Sequence, residues 1–412
     1  MTSKRIWYIS KYVSPPSGLS VGGRGYELMR EFAAMGHNCL IIASGSSHLG
    51  DMPKFEGPHL VQQRDGLQVC WVRTMETKKA KSLRRVASWV QFEWALFWLR
   101  KRRFQRPDVI VVSSLSLLTI INGLLLRARF KTRLIVEIRD IWPLTLVEEG
   151  GFSRRNPLII ALGLIERLGY RHADAIVGTM PNLGEHVANV LGYTKPAYCV
   201  PMGFAPRAIA VTEPLPADYV ESYLPRDGFV IGYAGTIGIT NALDPFFEAV
   251  EAMHDDPATQ FLVVGDGWLL PDYQTRFSHL PNLTFGPKVP KHAVQSVLAA
   301  CDLLYLSTHK SRVWEYGQSL NKVIDYMLSG KPVVASYSGF PSMLNEADCG
   351  TYVPAGDVPA LVQEFRRYAS MSQAERSEIG ERGRTWILEH RNYRTLAEDY
   401  LPILFPPPER NG

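Results

Sequence analysis

Cysteine is scarce. The chain has five in 412 residues, Cys39, Cys70, Cys199, Cys301 and Cys349, odd in number, far apart and without a C-x-x-C pair. That pattern argues against a disulfide framework or a zinc cluster, so no metal site is expected and a reducing cytoplasm fits best. Long apolar runs are also missing: none reaches the roughly 20 residues that a membrane-spanning helix requires. The start, Met1-Thr2-Ser3-Lys4-Arg5 running into residues 6–10, is too short and too strand-like for a signal peptide. No low-complexity tract appears, and only the tail 406–412 reads as disordered.

What is present is an ordinary globular composition, 46% hydrophobic and 21% charged, in a chain longer than one core usually supports. Two domains follow. The net charge of +5 hides an asymmetry, because residues 1–205 hold 28 Lys and Arg against 15 Asp and Glu, while the remainder holds 17 against 25. The basic half points to an anionic partner, either nucleic acid or anionic lipid.

Short apolar runs alternate with helix-patterned segments, the signature of βαβ units and parallel sheets. Strands are predicted at 6–10, 39–43, 67–72, 109–113, 134–138 and 175–178, then at 230–234, 261–264, 283–285, 303–306 and 332–335. The two series separate near 201–216. The α/β reading is therefore a first Rossmann-like domain over 1–205, a second over 206–384, and a closing helical segment and tail over 385–412.

Ligands of doubly wound sheets bind beyond the carboxyl ends of the strands, which directs attention to three loops. In the first, residues 14–25, Gly22 and Gly23 can present backbone N–H groups to a phosphate ahead of a helix at 26–35, with Arg24 beside them, although the spacing is not G-x-G-x-x-G. In the second, Arg139 and Asp140 leave a strand straight into Ile141-Trp142-Pro143. They are read either as a structural bridge that fixes the loop or as groups orienting an acceptor hydroxyl or donor sugar.

The third loop, residues 314–332, is the most informative. Glu315, Tyr316, Gly317 and Ser319 lead into a helix whose first turns carry Asn321, Lys322 and Asp325, closed by Gly330 and Pro332. Free N–H groups, the helix dipole and one lysine suit a diphosphate. Asp325, one turn deeper, offers only acceptors and so suits the vicinal diol of a ribose.

Residues 316–332 resemble the motif Y-G-x-S-P-N-K-L-x-[DE]-Y-M-x-x-G-K-P of retaining glycosyltransferases of family 4, in the bacterial surface-polysaccharide branch called fucosamine-transferase-like or WbuB-like. Residues 138–146 are similar to that branch's V-R-D-L-W-P-x-T-L, residues 22–28 to G-G-R-G-Y-E-L, and 346–350 to E-A-x-C-G. Residues 233–238, 264–267 and 285–290 match further ordered motifs, so the resemblance spans nearly the whole chain.

The resemblance implies a GT-B fold: two facing Rossmann-like domains with parallel sheets and a C-terminal helix crossing back to the first. It implies transfer of a hexose-type sugar, an N-acetylated one being favoured by the branch, from a UDP-sugar to a polyprenyl-diphosphate-linked saccharide. That chemistry belongs to bacterial O-antigen, capsule, exopolysaccharide or lipopolysaccharide synthesis. No cofactor and no metal are implied. Lys322 is assigned to the leaving diphosphate, Asp325 to the ribose, Gly235, Thr236 and Gly238 with Gly265 to close diphosphate approach, and Lys288 with Val289 to the base. Retention is explained in this family by front-face attack, with the departing phosphate taking the acceptor's proton, so positive groups and helix N–H donors at the leaving group carry much of the catalysis.

The chain departs from the family at points that bear on the sugar. Gly317 stands where the family has a Glu, leaving Glu315 as its substitute, and no basic residue occurs in 236–246, leaving Lys322, Lys310 or Arg312 for the diphosphate. Leu320 replaces a Pro, and Met202 an Asn.

Lys78, Lys79, Lys81, Arg84 and Arg85 precede the Trp- and Phe-rich run 89–99, and Arg100, Lys101, Arg102 and Arg103 follow it. Arg127, Arg129, Lys131 and Arg133 adjoin Leu124, Leu125 and Leu126. The run is too short to span but is composed like an interfacial helix, placing the protein in the cytoplasm at the inner face of the membrane. Nucleic acid is disfavoured, because these basic residues are interleaved with Trp and Leu rather than with spaced stacking platforms. The rival reading is a GT-B-fold UDP-sugar epimerase or a non-catalytic nucleotide-sugar-binding scaffold.

Overall fold

The computed structural model describes residues 2–17, 21–46, 52–75, 83–114, 116–210 and 212–407. The chain divides into two compact units, one formed by Met1–Ala205 with Tyr393–Gly412 and the other by Pro206–Asn392.

The first unit is built on an eight-stranded sheet. Its strands are β1 (Arg5–Ile9), β2 (Asn38–Ser44), β3 (His59–Arg64), β4 (Leu67–Val72), β5 (Val109–Ser113), β6 (Arg133–Ile138), β7 (Ala175–Gly178) and β8 (Ala197–Cys199). They lie in the order β3-β4-β2-β1-β5-β6-β7-β8, all parallel except the hairpin β3–β4. That hairpin turns at Asp65-Gly66, both with positive φ, which is the Asp-Gly signature of a tight hairpin turn. The central strands are buried on both faces, so Ile6, Ile41, Val111 and Ile135 read as continuous apolar runs rather than as alternation.

The second unit has six parallel strands: β9 (Phe229–Thr236), β10 (Thr259–Asp266), β11 (Leu283–Pro287), β12 (Leu303–Ser307), β13 (Val333–Ser336) and β14 (Gly350–Val353). Their order is β11-β10-β9-β12-β13-β14. This is the doubly wound arrangement, and chain direction reverses across the sheet between β9 and β12. A stack of aromatic rings, Phe247 on Tyr273, Phe277 and Phe285, fills one side of its core.

The closing segment differs from the continuous crossing predicted from residue 385. Thr385 to His390 are the end of a long helix, Gln373–His390, that belongs to the second unit, and a new helix, Tyr393–Leu404, belongs to the first. The break falls at Arg391-Asn392. In the first unit Tyr393, Leu396, Ala397, Tyr400 and Leu404 are buried in the same core as Tyr26, Met29 and Phe32 of the helix Arg24–Ala34.

Arg24 and Glu137 form the polar centre of the first unit. The Arg24 Nη1 donates to Glu137 Oε2 at 2.6 Å, and both side chains are 0% exposed. Tyr8 O–H donates to Glu137 Oε1 at 2.9 Å, and Tyr400 O–H to Oε2 at 3.4 Å. Arg24 also donates to the carbonyls of Pro201 (3.1 Å) and Val200 (2.7 Å). Burial pushes the Glu137 carboxyl pKa up, but the Arg24 guanidinium, assisted by Arg139, brings it below the usual carboxylate value.

Removing one partner of such a pair strands the other charge in the core. Glu137→Ala is therefore expected to lower stability by about 3–5 kcal/mol, read as an earlier first transition in urea unfolding, with Tyr393–Leu404 becoming protease-sensitive.

Candidate active site

In the second unit the predicted residues gather where the chain reverses between β9 and β12. The helix Asn321–Leu328 follows β12, and its N-cap, Leu320, supplies no side-chain hydrogen bond. Leu320 thus leaves the first-turn N–H groups without a side-chain cap from the N-cap position, an arrangement that suits an anionic ligand. Lys322 reaches from its first turn to β9. Its ammonium donates to Tyr233 Oη at 2.7 Å and to Asn241 Oδ1 at 2.9 Å, and lies 4.1 Å from the Tyr233 ring centroid. Tyr233 is held in turn by donating to the Thr236 carbonyl at 2.6 Å.

Both acceptors of the ammonium are neutral, and burial lowers the Lys322 pKa from its usual 10.5 to about 7. Perturbed lysines of this kind, held in position without a counter-charge, are found disproportionately at functional sites.

The glycines around it are there for space. A Cβ on Gly235 would lie 2.7 Å from Lys322 Cε, and one on Gly265, in the neighbouring strand β10, would lie 1.9 Å from the Gly235 carbonyl. Gly238 is buried past the end of β9, and Thr236 is exposed. Tyr326, on the same helix as Lys322, accepts from the Ala234 N–H at 3.0 Å, tying the helix to β9.

Asp325 sits on the helix face where its carboxylate is engaged by the Lys291 ammonium. Burial raises its pKa, and Lys291 opposes that shift. A ribose at this carboxylate would share it with Lys291. Lys288 is exposed and Val289 half-buried just past β11. Tyr316 is buried, Ser319 and Asn321 are at the helix entrance, and Asn321 is exposed.

Gly317 has φ +96° and ψ −177°, a conformation open essentially to glycine. The glutamate of the wider family would be strained on this backbone, so its replacement is built into the loop. Glu315 is exposed and lies 3.7 Å from Arg312, an ion pair at the surface.

In the first unit the structure corrects the phosphate-loop expectation. The Gly22 N–H donates to Glu27 Oε1 at 2.8 Å, and the Gly23 N–H to the Ser14 carbonyl at 2.9 Å. Arg24 is consumed by Glu137. These donors are satisfied internally because the loop must close over a helix whose first turn is buried, and burial pushes the Glu27 carboxyl up to about 7.

Asp140 is also committed to its own loop. Trp142 Nε1 donates to Oδ2 at 2.7 Å and Thr145 O–H to Oδ1 at 2.6 Å, while burial raises the carboxyl pKa. Arg139 is half-buried at the end of β6 with its Nε unpartnered.

With this geometry in place, two family models match the chain. The one described as "Glycosyl transferase 4-like domain" matches residues 22–203, and "Glycosyl transferases group 1" matches residues 228–370. The chain is a glycosyltransferase. Solved structures with which this glycosyltransferase shares its fold include a sucrose-phosphate synthase from Thermosynechococcus elongatus (17% identity, 97% of this chain and 98% of that one, TM-score 0.69). A trehalose-6-phosphate protein of E. coli bound with UDP-2-fluoro glucose matches at 13% identity over 97% and 98% of the two chains (TM-score 0.72). An Anabaena protein, HepE, in complex with UDP-glucose matches at 14% identity over 97% and 99% (TM-score 0.61). At these identities the likeness establishes the fold, GT-B. No curated protein sequence matches the chain.

Sequence reasoning gave no site role to Tyr233 or Asn241, the residues that hold Lys322. Tyr233 opens the matching run 233–238 but reads there as part of the apolar pattern of β9, and Asn241 lies in the loop after it, with nothing in its spacing to link it to a lysine 81 positions away.

The lysine makes a pH-dependent stability difference. Its pKa is about 7 folded and ~10.4 unfolded, so between these values the unfolded chain binds more protons and stability rises with pH. Relative to Lys322→Met, the wild type should gain roughly 1 kcal/mol per pH unit between pH 7.5 and 9.5 in urea unfolding. Parallel pH profiles would show that the ammonium is not desolvated.

Proposed function

We propose that this glycosyltransferase moves a sugar, with an N-acetylated one favoured, from a UDP-sugar to a polyprenyl-diphosphate-linked saccharide, with retention at the anomeric carbon. The pattern of ordered motifs aligns it with the fucosamine-transferase-like (WbuB-like) branch, and thus with bacterial surface-polysaccharide synthesis. The observation that carries the reading is Lys322: a desolvated amine held by Tyr233 and Asn241 against the glycine-lined end of β9, at the first turn of an uncapped helix.

The chemistry follows from that placement. As the bond from sugar to diphosphate breaks, negative charge grows on the leaving phosphate, and a cation already desolvated and aimed at it stabilises that charge more than water does. Lys322 protonates fully when the diphosphate arrives, because an adjacent anion restores the pKa that burial lowered. Asp325 holds the ribose, and Lys288 and Val289 flank the base. Two binders of UDP-sugars share the fold, the E. coli protein with UDP-2-fluoro glucose and HepE with UDP-glucose, which supports UDP as the donor nucleotide.

Lys322→Ala should lose at least 100-fold in turnover with the fold intact by circular dichroism, and near-normal turnover would refute the leaving-group role. Asp325→Ala should raise the donor Kd about tenfold by calorimetry with little change in turnover at saturation. For the wild type, UDP-sugar binding should take up a proton above pH 7, seen as a buffer-dependent binding enthalpy that disappears in Lys322→Ala.

A further inference from the structure

Three helices of the first unit lie side by side with their outer faces bare. They are Leu83–Trp98, Thr119–Phe130 and Pro157–His172. The first two are joined by Glu93, whose carboxylate accepts from Thr119 Oγ1 at 2.6 Å and Asn122 Nδ2 at 2.7 Å. The second and third meet at Gly169, where an added Cβ would lie 2.7 Å from Ile120 Cγ2.

On the far side from these contacts the helices expose Trp94, Trp98, Leu125, Ile160, Leu164 and Leu168, with Trp94 at 66%, Trp98 at 64% and Leu164 at 65%. The aromatic helix is divided in use. Trp89, Phe92 and Leu96 face the core, where Trp89 donates to Tyr12 Oη at 2.8 Å, so only Trp94, Phe97 and Trp98 of its aromatic side chains are presented. Exposed apolar side chains at i, i+4 and i+8 on the first helix (Val90, Trp94, Trp98) and the third (Ile160, Leu164, Leu168), and at i and i+4 on the second (Ile121, Leu125), form a patch of the kind that marks an interaction site.

Charge identifies the partner. The three helices contain two acidic residues, Glu93 and Glu166, and both carboxylates point inward, Glu166 to His186 at 2.7 Å. Among the described side chains their exposed charges are all basic: Arg84, Arg129, Arg167 and Arg171, with His172 at the end. Arg100 and Arg102, just past the first helix, are exposed as well. Lys78, Lys79 and Lys81, with the side chain of Arg85, lie outside the described residues. A second copy of this chain would set basic edge against basic edge, whereas an anionic bilayer offers apolar depth and opposite charge at once. No helix among the described residues is long and apolar enough to cross a membrane.

We propose that the outer faces of these three helices form a single surface that seats in the interfacial layer of an anionic bilayer, with Pro157–His172 contributing as much of it as the Trp-rich helix. For its use in the cell the surface rests on the lipid-linked-acceptor reading, but it is measured without an acceptor.

The full chain is floated with vesicles of phosphatidylcholine containing 30% phosphatidylglycerol, and with phosphatidylcholine alone. The wild type should float with the anionic vesicles, and severalfold less with the neutral ones. Leu164→Glu and Leu125→Glu, at positions already in water, should each reduce the floated fraction at least tenfold while leaving the melting temperature and UDP-sugar affinity unchanged. Wild-type protein that remains at the bottom of the anionic gradient overturns the proposal. So does a Leu164→Glu variant that floats like the wild type, or a wild-type dimer that this variant splits without any lipid binding. Flotation as expected with no transfer to any lipid-linked saccharide would leave the surface standing and remove the acceptor assignment alone.

Discussion

One buried carboxylate organises the first unit. Glu137 is the penultimate residue of β6, after the apolar run Leu134-Ile135-Val136, and its charge is tolerable only because four other segments come to it: β1 through Tyr8, the first helix through Arg24, the turn after β8 through the carbonyls that Arg24 binds, and the last helix through Tyr400. Each of these contacts is a hydrogen bond to or from a charged group in a medium where an unmade bond is far more expensive than in water. The register of β1 against β5 and the seating of the C-terminal helix are therefore coupled. Neither can shift without exposing a charge to the core.

The second unit uses the same low dielectric in the opposite way. Lys322 is half-buried rather than sealed, and it is given a phenol and an amide rather than a carboxylate. The first unit neutralises its buried charge and gains rigidity; the second leaves its buried charge uncompensated and holds a group near the middle of its titration. That difference separates the ion pair of the first unit, which is structural, from the lysine of the second, to which the proposed function gives a chemical role, while the more eye-catching Gly-Gly-Arg loop is scaffolding.

Most parallel strands were legible because each is an apolar run bounded by glycine, proline or charge, whereas the short edge strands β8 and β14 lack such a run and were missed; the helix entrance at Asn321-Lys322 was legible because glycine, polar residues and a lysine cluster there. Of the hairpin β3–β4, only β4 was expected; β3 was overlooked although Asp65-Gly66 is a strong local signal, since β3 is only half-buried and carries Gln62, Gln63 and Arg64. Arg24 looked available for a ligand because its partner is 113 residues away, and a lone Glu inside an apolar strand was the sign of that pairing. Asp140 was paired in the sequence reading with its neighbour Arg139, but adjacent residues on an extended chain point apart, and its partners proved to be Trp142 and Thr145. The bare face of Pro157–His172 escaped notice because apolar content alone does not tell which side of a helix is covered.

The first unit is discontinuous in sequence, since Tyr393–Leu404 supplies part of its core after the whole of the second unit has been spelled out. During synthesis the ribosome therefore releases a complete second unit before the first has its final helix. Until Tyr400 emerges, the pocket beside Arg24 and Glu137 has one wall missing, and the apolar surface later covered by Leu396 and Leu404 faces solvent. The amino-terminal core is thus closed only after the whole of the second unit has been synthesised.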